Sequence, residues 1–442
     1  MTSLAHLTPS ERRPFILFLL SLLILAGVLL GRFVNSRLTD TAVIANGPAP
    51  SPLQMSAEAY IQQLQEKLAN NPENPSLYSQ LGLAYLQRVR ETADATLYTQ
   101  ADWAFTQALD REPELLDAII GRGALALARH DFQGALGWGE KARAINPFRA
   151  EILGILVDAQ VELGRYEEAV ATGQAMVDLR PDLTSYSRVS YLRELHGETA
   201  GAIEAMQAAV DAGVPGTEGT LWTTVQLGNL YFNSGDWAAA EALYQQAIQF
   251  KADYAYALAG MARVQAAGGD YEAAIAIYEP LVIRLPLPEF VIALGELYEV
   301  TGQMDKAKDQ YDLVRAIQQL NASAGVDVDL ELALFDADHG ADPAQALVKA
   351  RAAYQRRPSL YAADVLAWTL YQNGQYEEAQ QYSQQALRLG TRDATLHYHA
   401  GMIAYALGNR DQARAHLQEA LAINPAFSVR YAPLAQALLA DL

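Results

Sequence analysis

The chain contains no cysteine. This absence excludes disulfide bonds, thiolate-ligated zinc and iron–sulfur sites, and a cysteine nucleophile. It also excludes anchoring through the lipid-modified cysteine of bacterial lipoproteins. Because a chain without cysteine tolerates either redox compartment, the absence does not indicate a localisation.

Positive charge is scarce as well. There are 32 Lys and Arg against 51 Asp and Glu, a net charge of −19. Nucleic-acid binding depends on Lys and Arg that displace phosphate counterions, so we expect no nucleic-acid partner. The length of 442 residues predicts several domains or a repeat array. Apolar residues make up 51% of the chain, which is enough to form buried cores. Ala, Leu, Gln and Glu dominate, which favours helix throughout.

Recognisable chemical motifs are missing too. The sequence has no glycine-rich phosphate loop followed by Lys-Ser/Thr, no GxSxG and no HExxH. His397 and His399 are two residues apart, so on a helix they point in different directions and cannot share a metal. His339 lies beside Asp336 and Asp338 in a predicted inter-helix turn, where Asp and Gly accumulate for backbone reasons. We therefore expect no enzyme, no cofactor, no metal and no small-molecule substrate.

One long apolar run stands at the N-terminus. From Phe15 to Leu30 the sequence reads FILFLLSLLILAGVLL, and no charge interrupts Pro14 to Gly31. With its flank, the run supplies roughly 20 residues, enough to span a hydrocarbon core of ~30 Å. It is too long for a cleaved signal peptide, and no small-residue cleavage site follows closely. We predict a short tail at 1–14 and a transmembrane signal anchor at 15–34.

The orientation of this anchor rests on nearly balanced charges. Arg12 and Arg13 precede it, whereas Arg32 and Arg37 follow it. Because a short N-terminal tail need not be translocated, we favour a cytoplasmic N-terminus at the cell membrane and an extracytoplasmic remainder. Residues 35–55 include the run NGPAPSP, which predicts a Pro-rich linker that separates the following domain from the bilayer.

An alanine recurs through the remainder at a nearly constant spacing. The spacing is 33 or 34 residues, apart from one gap of 38 and one of 39, at Ala101, Ala135, Ala169, Ala202, Ala240, Ala274, Ala307, Ala346, Ala379 and Ala413. Five residues before these marker alanines, seven of ten positions hold glycine: Gly164, Gly197, Gly235, Gly269, Gly302, Gly374 and Gly408. Glycine tolerates the positive φ of a tight turn between helices. The pattern predicts helix–turn–helix repeats.

This pattern resembles the tetratricopeptide-repeat (TPR) family over about residues 74–425. The resemblance is clearest in LGNLYFNSGDWAAAEALYQQAI and AYALGNRDQARAHLQEALAINP. The resemblance implies an all-α, right-handed superhelical TPR solenoid of about ten repeats that binds protein. Within the family, the chain is similar to bacterial membrane-anchored members. Because a solenoid must cover its exposed ends, we expect a capping helix at 56–73 and another at 426–442.

Three departures from the repeat length affect the fold. Repeat one has seven extra residues between Tyr85 and Ala101, about two helical turns, which predicts longer helices. The 38-residue gap contains residues 212–219, and the 39-residue gap contains residues 321–325. These two segments are either hinges between rigid sub-arrays or tolerated loop insertions, and both interpretations stay open.

The resemblance also implies that the first helix of each repeat faces a concave groove. The implied positions lie 18, 15, 11, 8 and 7 residues before the marker alanine, and in repeats two to ten they hold one Lys or Arg, Arg263. They are acidic or aromatic at many places, and we predict a partner-binding groove at Tyr191, Trp222, Phe232, Tyr256, Glu296, Glu299, Phe335, Tyr361, Asp364, Trp368, Tyr371, Tyr398 and Tyr405. Such a groove suits an extended protein segment that carries Lys, Arg or Pro.

Two alternatives accompany this expectation. The same aromatic residues fit inter-repeat packing, and the acidic bias fits the overall net charge of −19. The expected function is a membrane-tethered scaffold for complex assembly that binds a protein in the groove. The alternative is a permanent structural subunit of a larger membrane complex, bound through its convex face or its termini.

Overall fold

The computed structural model describes residues 56–340 and 342–442. The predicted tail (1–14), transmembrane anchor (15–34) and Pro-rich linker (35–55) lie outside the described residues. Within the described ranges, no helix combines the length and apolar character that crossing a bilayer requires.

The described residues form 22 helices and no strand. In chain order they are α1 Ala57–Asn70, α2 Pro75–Thr92, α3 Leu97–Arg111, α4 Leu116–Ala128, α5 Phe132–Ile145, α6 Ala150–Glu162, α7 Tyr166–Leu179, α8 Leu183–Leu195, α9 Thr199–Asp211, α10 Glu218–Asn233, α11 Trp237–Phe250, α12 Ala255–Ala267, α13 Tyr271–Arg284, α14 Pro288–Val300, α15 Met304–Ser323, α16 Asp329–His339, α17 Pro343–Arg356, α18 Leu360–Gln372, α19 Tyr376–Ala386, α20 Ala394–Ala406, α21 Arg410–Ile423 and α22 Tyr431–Asp441.

Helices α2 to α21 pack as ten successive antiparallel pairs, from α2 with α3 to α20 with α21. We number these pairs as repeats 1 to 10, with α1 in front and α22 behind. All ten marker alanines lie in the second helix of a pair and are at most 1% exposed. A methyl side chain at this position lets the paired helices approach closely, which explains the recurrence of alanine.

Capping residues and turn glycines set the boundaries within each pair. Asp131, Asp236 and Asp270 precede second helices and accept hydrogen bonds from backbone N–H groups three residues later. These bonds satisfy donors that the first helical turn leaves unpaired. All seven turn glycines have φ between +70° and +86°, as the turn requires. The predicted helix–turn–helix repeats are therefore confirmed.

The extra residues mostly lengthen helices. Helix α2 has 18 residues, so the insertion in repeat one extends a helix, as predicted. Helix α15 has 20 residues and ends at Ser323, so most of the 321–325 segment is helical. Residues 212–217 form a loop before α10. Whether either segment is a hinge stays a prediction.

The array also closes on itself. The turn between the two helices of repeat 2 lies against the linker that follows repeat 7. The turns of repeats 3, 4 and 5 lie in the same way against the linkers that follow repeats 8, 9 and 10. The Asp327 N–H donates to the Arg129 carbonyl (2.9 Å), and the Leu360 N–H donates to the Tyr166 hydroxyl (2.6 Å). Farther along, the Thr391 hydroxyl donates to the Leu195 carbonyl, and the Asn424 amide donates to the Phe232 carbonyl (3.0 Å). Repeats 1–5 and 6–10 therefore form two superhelical turns stacked on each other.

The core follows the same closure. Its largest apolar cluster joins residues of repeats 3 and 4, such as Val157 and Leu195, to residues of repeats 8 to 10, such as Leu334, Leu360 and Ile403. The two superhelical turns consequently share buried apolar surface as well as hydrogen bonds, and separating them would expose that surface to water.

Candidate functional site

All thirteen predicted groove residues lie on first helices of repeats, as expected, but most are inaccessible. Tyr405 is 41% exposed, and Tyr256, Glu299 and Tyr371 are partly exposed. The other nine are buried: Tyr191, Trp222, Phe232, Glu296, Phe335, Tyr361, Asp364, Trp368 and Tyr398. We call the surface formed by the first helices of the repeats the inner face. Successive first helices contact each other directly, for example α16 with α18 and α18 with α20, so this face is narrow.

The predicted residues of the first six repeats do not form one site. Arg263, the single predicted cation, lies over the Phe232 ring at 4.2 Å and donates to Asn229 (3.1 Å) and Asn233 (2.9 Å). Tyr256 packs edge-on against Phe290 at 6.0 Å. Arg263 therefore has an internal structural role in repeats 5 and 6.

Repeats 9 and 10 bring the predicted aromatic residues together. Trp368 stacks on Tyr371 at a centroid distance of 4.8 Å and on His399 at 4.1 Å. Tyr398 stacks on Tyr431 at 4.8 Å. We call these five residues the C-terminal aromatic cluster. Tyr405, about two helical turns beyond Tyr398, is not part of it.

Carboxylates lie beside this cluster. Asp364 lies 2.9 Å from Nδ1 of His399. Asp338 accepts a hydrogen bond from the Trp368 indole (2.7 Å), and Glu299 accepts one from the Tyr311 hydroxyl (2.7 Å). Each carboxylate is thus oriented by an aromatic or imidazole donor.

One cation enters the acidic side of the cluster. Arg430 approaches Glu299 (3.7 Å) and Nε2 of His339 (3.0 Å). Burial lowers the pKa of His339 well below its usual value, and Arg430 lowers it further, so His339 is neutral. Burial alone would lower the pKa of Arg430, but Tyr431, Asp338 and the nearby glutamates raise it above the usual value. The guanidinium therefore stays charged.

Several of these residues were not predicted as site residues from the sequence. Asp336, Asp338 and His339 were expected in an inter-helix turn, but they form the last turn of α16, because that helix continues to His339. Arg430 and Tyr431 lie beyond the last repeat, where the repeat pattern assigns no role. His399 is fully buried, whereas His397 pairs with His416 (Nδ1 to Nδ1, 3.2 Å).

A cavity of about 660 Å³ lies beside Asp336 and His339. Helices α15, α16 and α17 line it, and Tyr311 and His339 connect it to the acidic residues. Its other polar lining is of mixed charge, with Lys308, Arg315 and Lys349 opposite Asp312, Asp336 and Asp342. Such a lining offers no single-charge attraction, so the cavity is a weaker candidate than the inner face.

A buried ionic group lies between the two superhelical turns. Arg357 is 2% exposed and contacts Glu331 (2.7 Å) of repeat 8 and Glu162 (3.8 Å) of repeat 3. Burial raises the pKa of Glu162 to about 7, although Arg357 opposes the shift. His130 adds a bond from Nδ1 to the Asp327 carbonyl (2.8 Å). This group stabilises the closure and does not face an opening.

Comparisons with known proteins give partial matches along the array. A family model described as tetratricopeptide repeat matches residues 231–290, and one described as anaphase-promoting complex, cyclosome, subunit 3 matches residues 343–420. Tetratricopeptide repeat protein 13 of Homo sapiens is 26% identical over 233 residues, which are 50% of this chain and 26% of the relative. The chain thus matches about a quarter of that relative's length.

Comparison with solved structures also gives matches. The human IFIT1 dimer with PPP-AAAA is 16% identical, with 75% of this chain and 78% of that chain covered and a TM-score of 0.47. The APC/C hetero-tetramer Cut9–Hcn1 is 16% identical, with 88% and 95% covered and a TM-score of 0.37.

Proposed function

We propose that the chain, which matches the tetratricopeptide-repeat family model over residues 231–290, is a non-enzymatic scaffold that binds a protein partner on its inner face. In this proposal residues 15–34 tether it to the cell membrane, the N-terminus is cytoplasmic, and the repeat array is extracytoplasmic. The proposed partner presents an extended segment with a basic residue, which an acidic and aromatic surface attracts.

One observation carries this proposal. Glu299, Trp368, Tyr371 and Tyr398, predicted separately from three repeats, lie in or beside a single cluster of stacked rings and carboxylates. Stacked aromatic faces beside carboxylates favour a guanidinium, which forms planar stacking contacts and charge-assisted hydrogen bonds.

The experiment is a pull-down with the full chain in detergent. Trp368 and Tyr398 are buried, so replacing them would damage the fold, and the accessible residues Tyr371 and Tyr405 are the better choice. We expect Tyr371→Ala with Tyr405→Ala to lose a partner that the native chain retains. A matched control, Phe148→Ala with Phe250→Ala, removes two aromatic rings that are 78% and 57% exposed elsewhere.

The alternative, a permanent structural subunit, is favoured by a different observation. Large apolar side chains are exposed at the ends of second helices and in the linkers of repeats 2 to 6: Phe148 (78%), Val214 (66%), Phe250 (57%) and Ile283 (85%). Exposed apolar side chains at corresponding places in successive repeats are typical of a surface that another protein covers. If the Phe148 and Phe250 variant loses the partner and the tyrosine variant retains it, the structural-subunit proposal replaces the scaffold proposal.

A further inference from the structure

Residues 427–430 belong to the connection between α21 and α22, and Tyr431 is the first residue of α22. Together these five residues contact the first helices of four repeats. Arg430 reaches Glu299 of repeat 7 and His339 of repeat 8. Tyr431 lies edge-on to Trp368 of repeat 9, with ring centroids 5.9 Å apart. A loop that only joined α21 to α22 would need contacts with repeat 10 alone. This segment instead contacts the first helices of repeats 7 to 10.

The arginine in this segment is bound by three kinds of group. Its Nε lies 3.7 Å from a Glu299 carboxylate oxygen, and Nη1 lies 3.0 Å from Nε2 of neutral His339. Nη2 approaches the Asp338 carbonyl oxygen at 3.5 Å. The side chain of Arg430 keeps 17% of its surface exposed. A planar guanidinium can address these separate acceptors at once, whereas a lysine ammonium cannot match them.

The aromatic residues of the segment complete the contact. The Tyr431 ring stacks on Tyr398 at 4.8 Å, and its hydroxyl donates to the Asp338 carboxylate. Phe427 packs against the same Tyr398 ring at 5.6 Å. An arginine followed by a tyrosine is therefore recognised here by carboxylates and stacked rings together.

We propose that residues 427–431 occupy the partner site as a tethered competitor, and that the partner carries an arginine followed by an aromatic residue. This inference rests on the proposed function and specifies its partner. A tethered segment has an effective concentration in the millimolar range, so the chain keeps its own site filled until a stronger segment displaces it. Helix α22 packs on α21 of repeat 10. Phe427 and Tyr431 belong to the largest apolar cluster, so a partner segment that displaces them has to cover the apolar surface that they leave.

A labelled peptide tests this competition without the partner. The probe is a fluorescein-labelled peptide of residues 424–434, NPAFSVRYAPL, and the readout is fluorescence anisotropy with the full chain in detergent. We expect the Arg430→Ala, Tyr431→Ala chain to bind the peptide at least about ten-fold more tightly than the native chain, because its own segment no longer competes.

A matched peptide distinguishes specific recognition from nonspecific binding. The same peptide with Arg430→Glu and Tyr431→Ala should bind the variant chain at least about ten-fold more weakly, the loss of a charged contact and a ring stack. The inference is overturned if the variant chain, folded by circular dichroism, binds the native peptide no better than the native chain does. Equal binding of the two peptides overturns it as well.

Hydrogen exchange on the native chain tests the same point if the variant does not fold. A tethered competitor is released locally, so the amides of Arg430 and Tyr431 should exchange faster than those of α18. Exchange of both regions at one common rate would show that the segment is a structural cap. Peptide binding together with a failed pull-down would leave this recognition in place and remove only the proposed partner function.

Discussion

The tetrapeptide Ala-Ile-Asn-Pro occurs twice, at residues 144–147 and 422–425, at the end of the second helix in repeats 2 and 10. The first copy faces outward, with Ile145 42% exposed, whereas Ile423 is 5% exposed and Asn424 is fully buried. The local sequence is the same, and both asparagine side chains accept a backbone N–H two residues later. The difference comes from position: only the second copy lies under a turn of repeat 5.

The same contrast separates the turns of the two halves. A Cβ added to Gly164 would lie 2.5 Å from the Pro358 carbonyl oxygen, and one on Gly197 would overlap the Gly390 carbonyl. At Gly374 and Gly408, with similar positive φ, a Cβ would meet nothing within 4 Å. The turns of repeats 2 to 5 are therefore interfaces between superhelical turns, whereas the turns at Gly374 and Gly408 have no such neighbour, although the repeat motif is shared.

Arg357 gives the largest expected effect. Arg357→Ala leaves Glu331 and Glu162 buried between the superhelical turns without their cation, which should reduce the free energy of unfolding by about 3–5 kcal/mol. The adjacent Arg356 also pairs with acids, Asp327 and Asp329, but its side chain is 46% exposed. Arg356→Ala should therefore cost under about 1 kcal/mol. Urea unfolding of the two variants checks this, and equal losses would contradict the closure.

The turn glycines provide the next comparison. Gly197→Ala and Gly374→Ala share the strain of a non-glycine residue at positive φ, about 1–2 kcal/mol. Gly197→Ala adds a clash with the Gly390 carbonyl, which should cost about 1–3 kcal/mol more. Thermal unfolding followed by circular dichroism measures the difference. If Gly374→Ala is as destabilised as Gly197→Ala, the first-half turns are not covered.

The two asparagines should differ by a smaller amount. Asn424→Ala removes hydrogen bonds to the Phe232 carbonyl (3.0 Å) and from the Trp237 indole (3.3 Å), with an expected loss of about 1–2 kcal/mol. Asn146→Ala removes the same local turn bond and no contact between superhelical turns. We expect its loss of unfolding free energy to be about 1 kcal/mol smaller. Chemical denaturation of both variants under one condition gives this difference, and identical midpoints would argue against it.

Glu162 gives a pH-dependent signal of the closure. Its pKa rises from 4.5 to about 7 in the folded protein. Between these values the folded state binds more protons than the unfolded state, so the free energy of unfolding falls as pH rises. His130 opposes this trend, because burial lowers its pKa.

A variant isolates the contribution of Glu162. From pH 5 to pH 8 the native chain should lose stability relative to Glu162→Gln. Most of this loss should occur below about pH 7, and little should be added above it. Glu168→Gln, which removes an exposed carboxylate paired with Arg165, is the control and should show no such trend. If the free energies of unfolding of the native chain and Glu162→Gln differ by a constant amount across this range, Glu162 does not cause a pH dependence of the closure.

The repeat register was predictable because it depends on local chemistry. Alanine at 0–1% exposure and glycine at positive φ recur at fixed offsets, so the spacing predicted the helix pairs. The closure was not predictable in this way. It depends on the sum of small rotations between successive repeats, and residues such as Thr391 and Asn424 carry no signal for a contact with Leu195 or Phe232.

The candidate site was predictable only in part. Helical offsets placed Trp368 and Tyr398 on first helices, where the structure has them. The spacing from the marker alanines could not predict that these rings are buried, because burial depends on the distance between neighbouring first helices. Arg430 and Tyr431 could not be assigned, because no repeat position corresponds to them.

The closure can be tested most directly with engineered thiols, because the native chain has no cysteine. A Cβ on Gly235 would lie 4.0 Å from the Cα of Asn424, so thiols at these two positions would be close neighbours. After mild oxidation, Gly235→Cys with Asn424→Cys should form a disulfide within one chain, found by mass spectrometry of unreduced peptides. Gly374→Cys with Asn424→Cys should keep both thiols. A chain of native helicity in which the first pair stays reduced would contradict the stacking of the two superhelical turns.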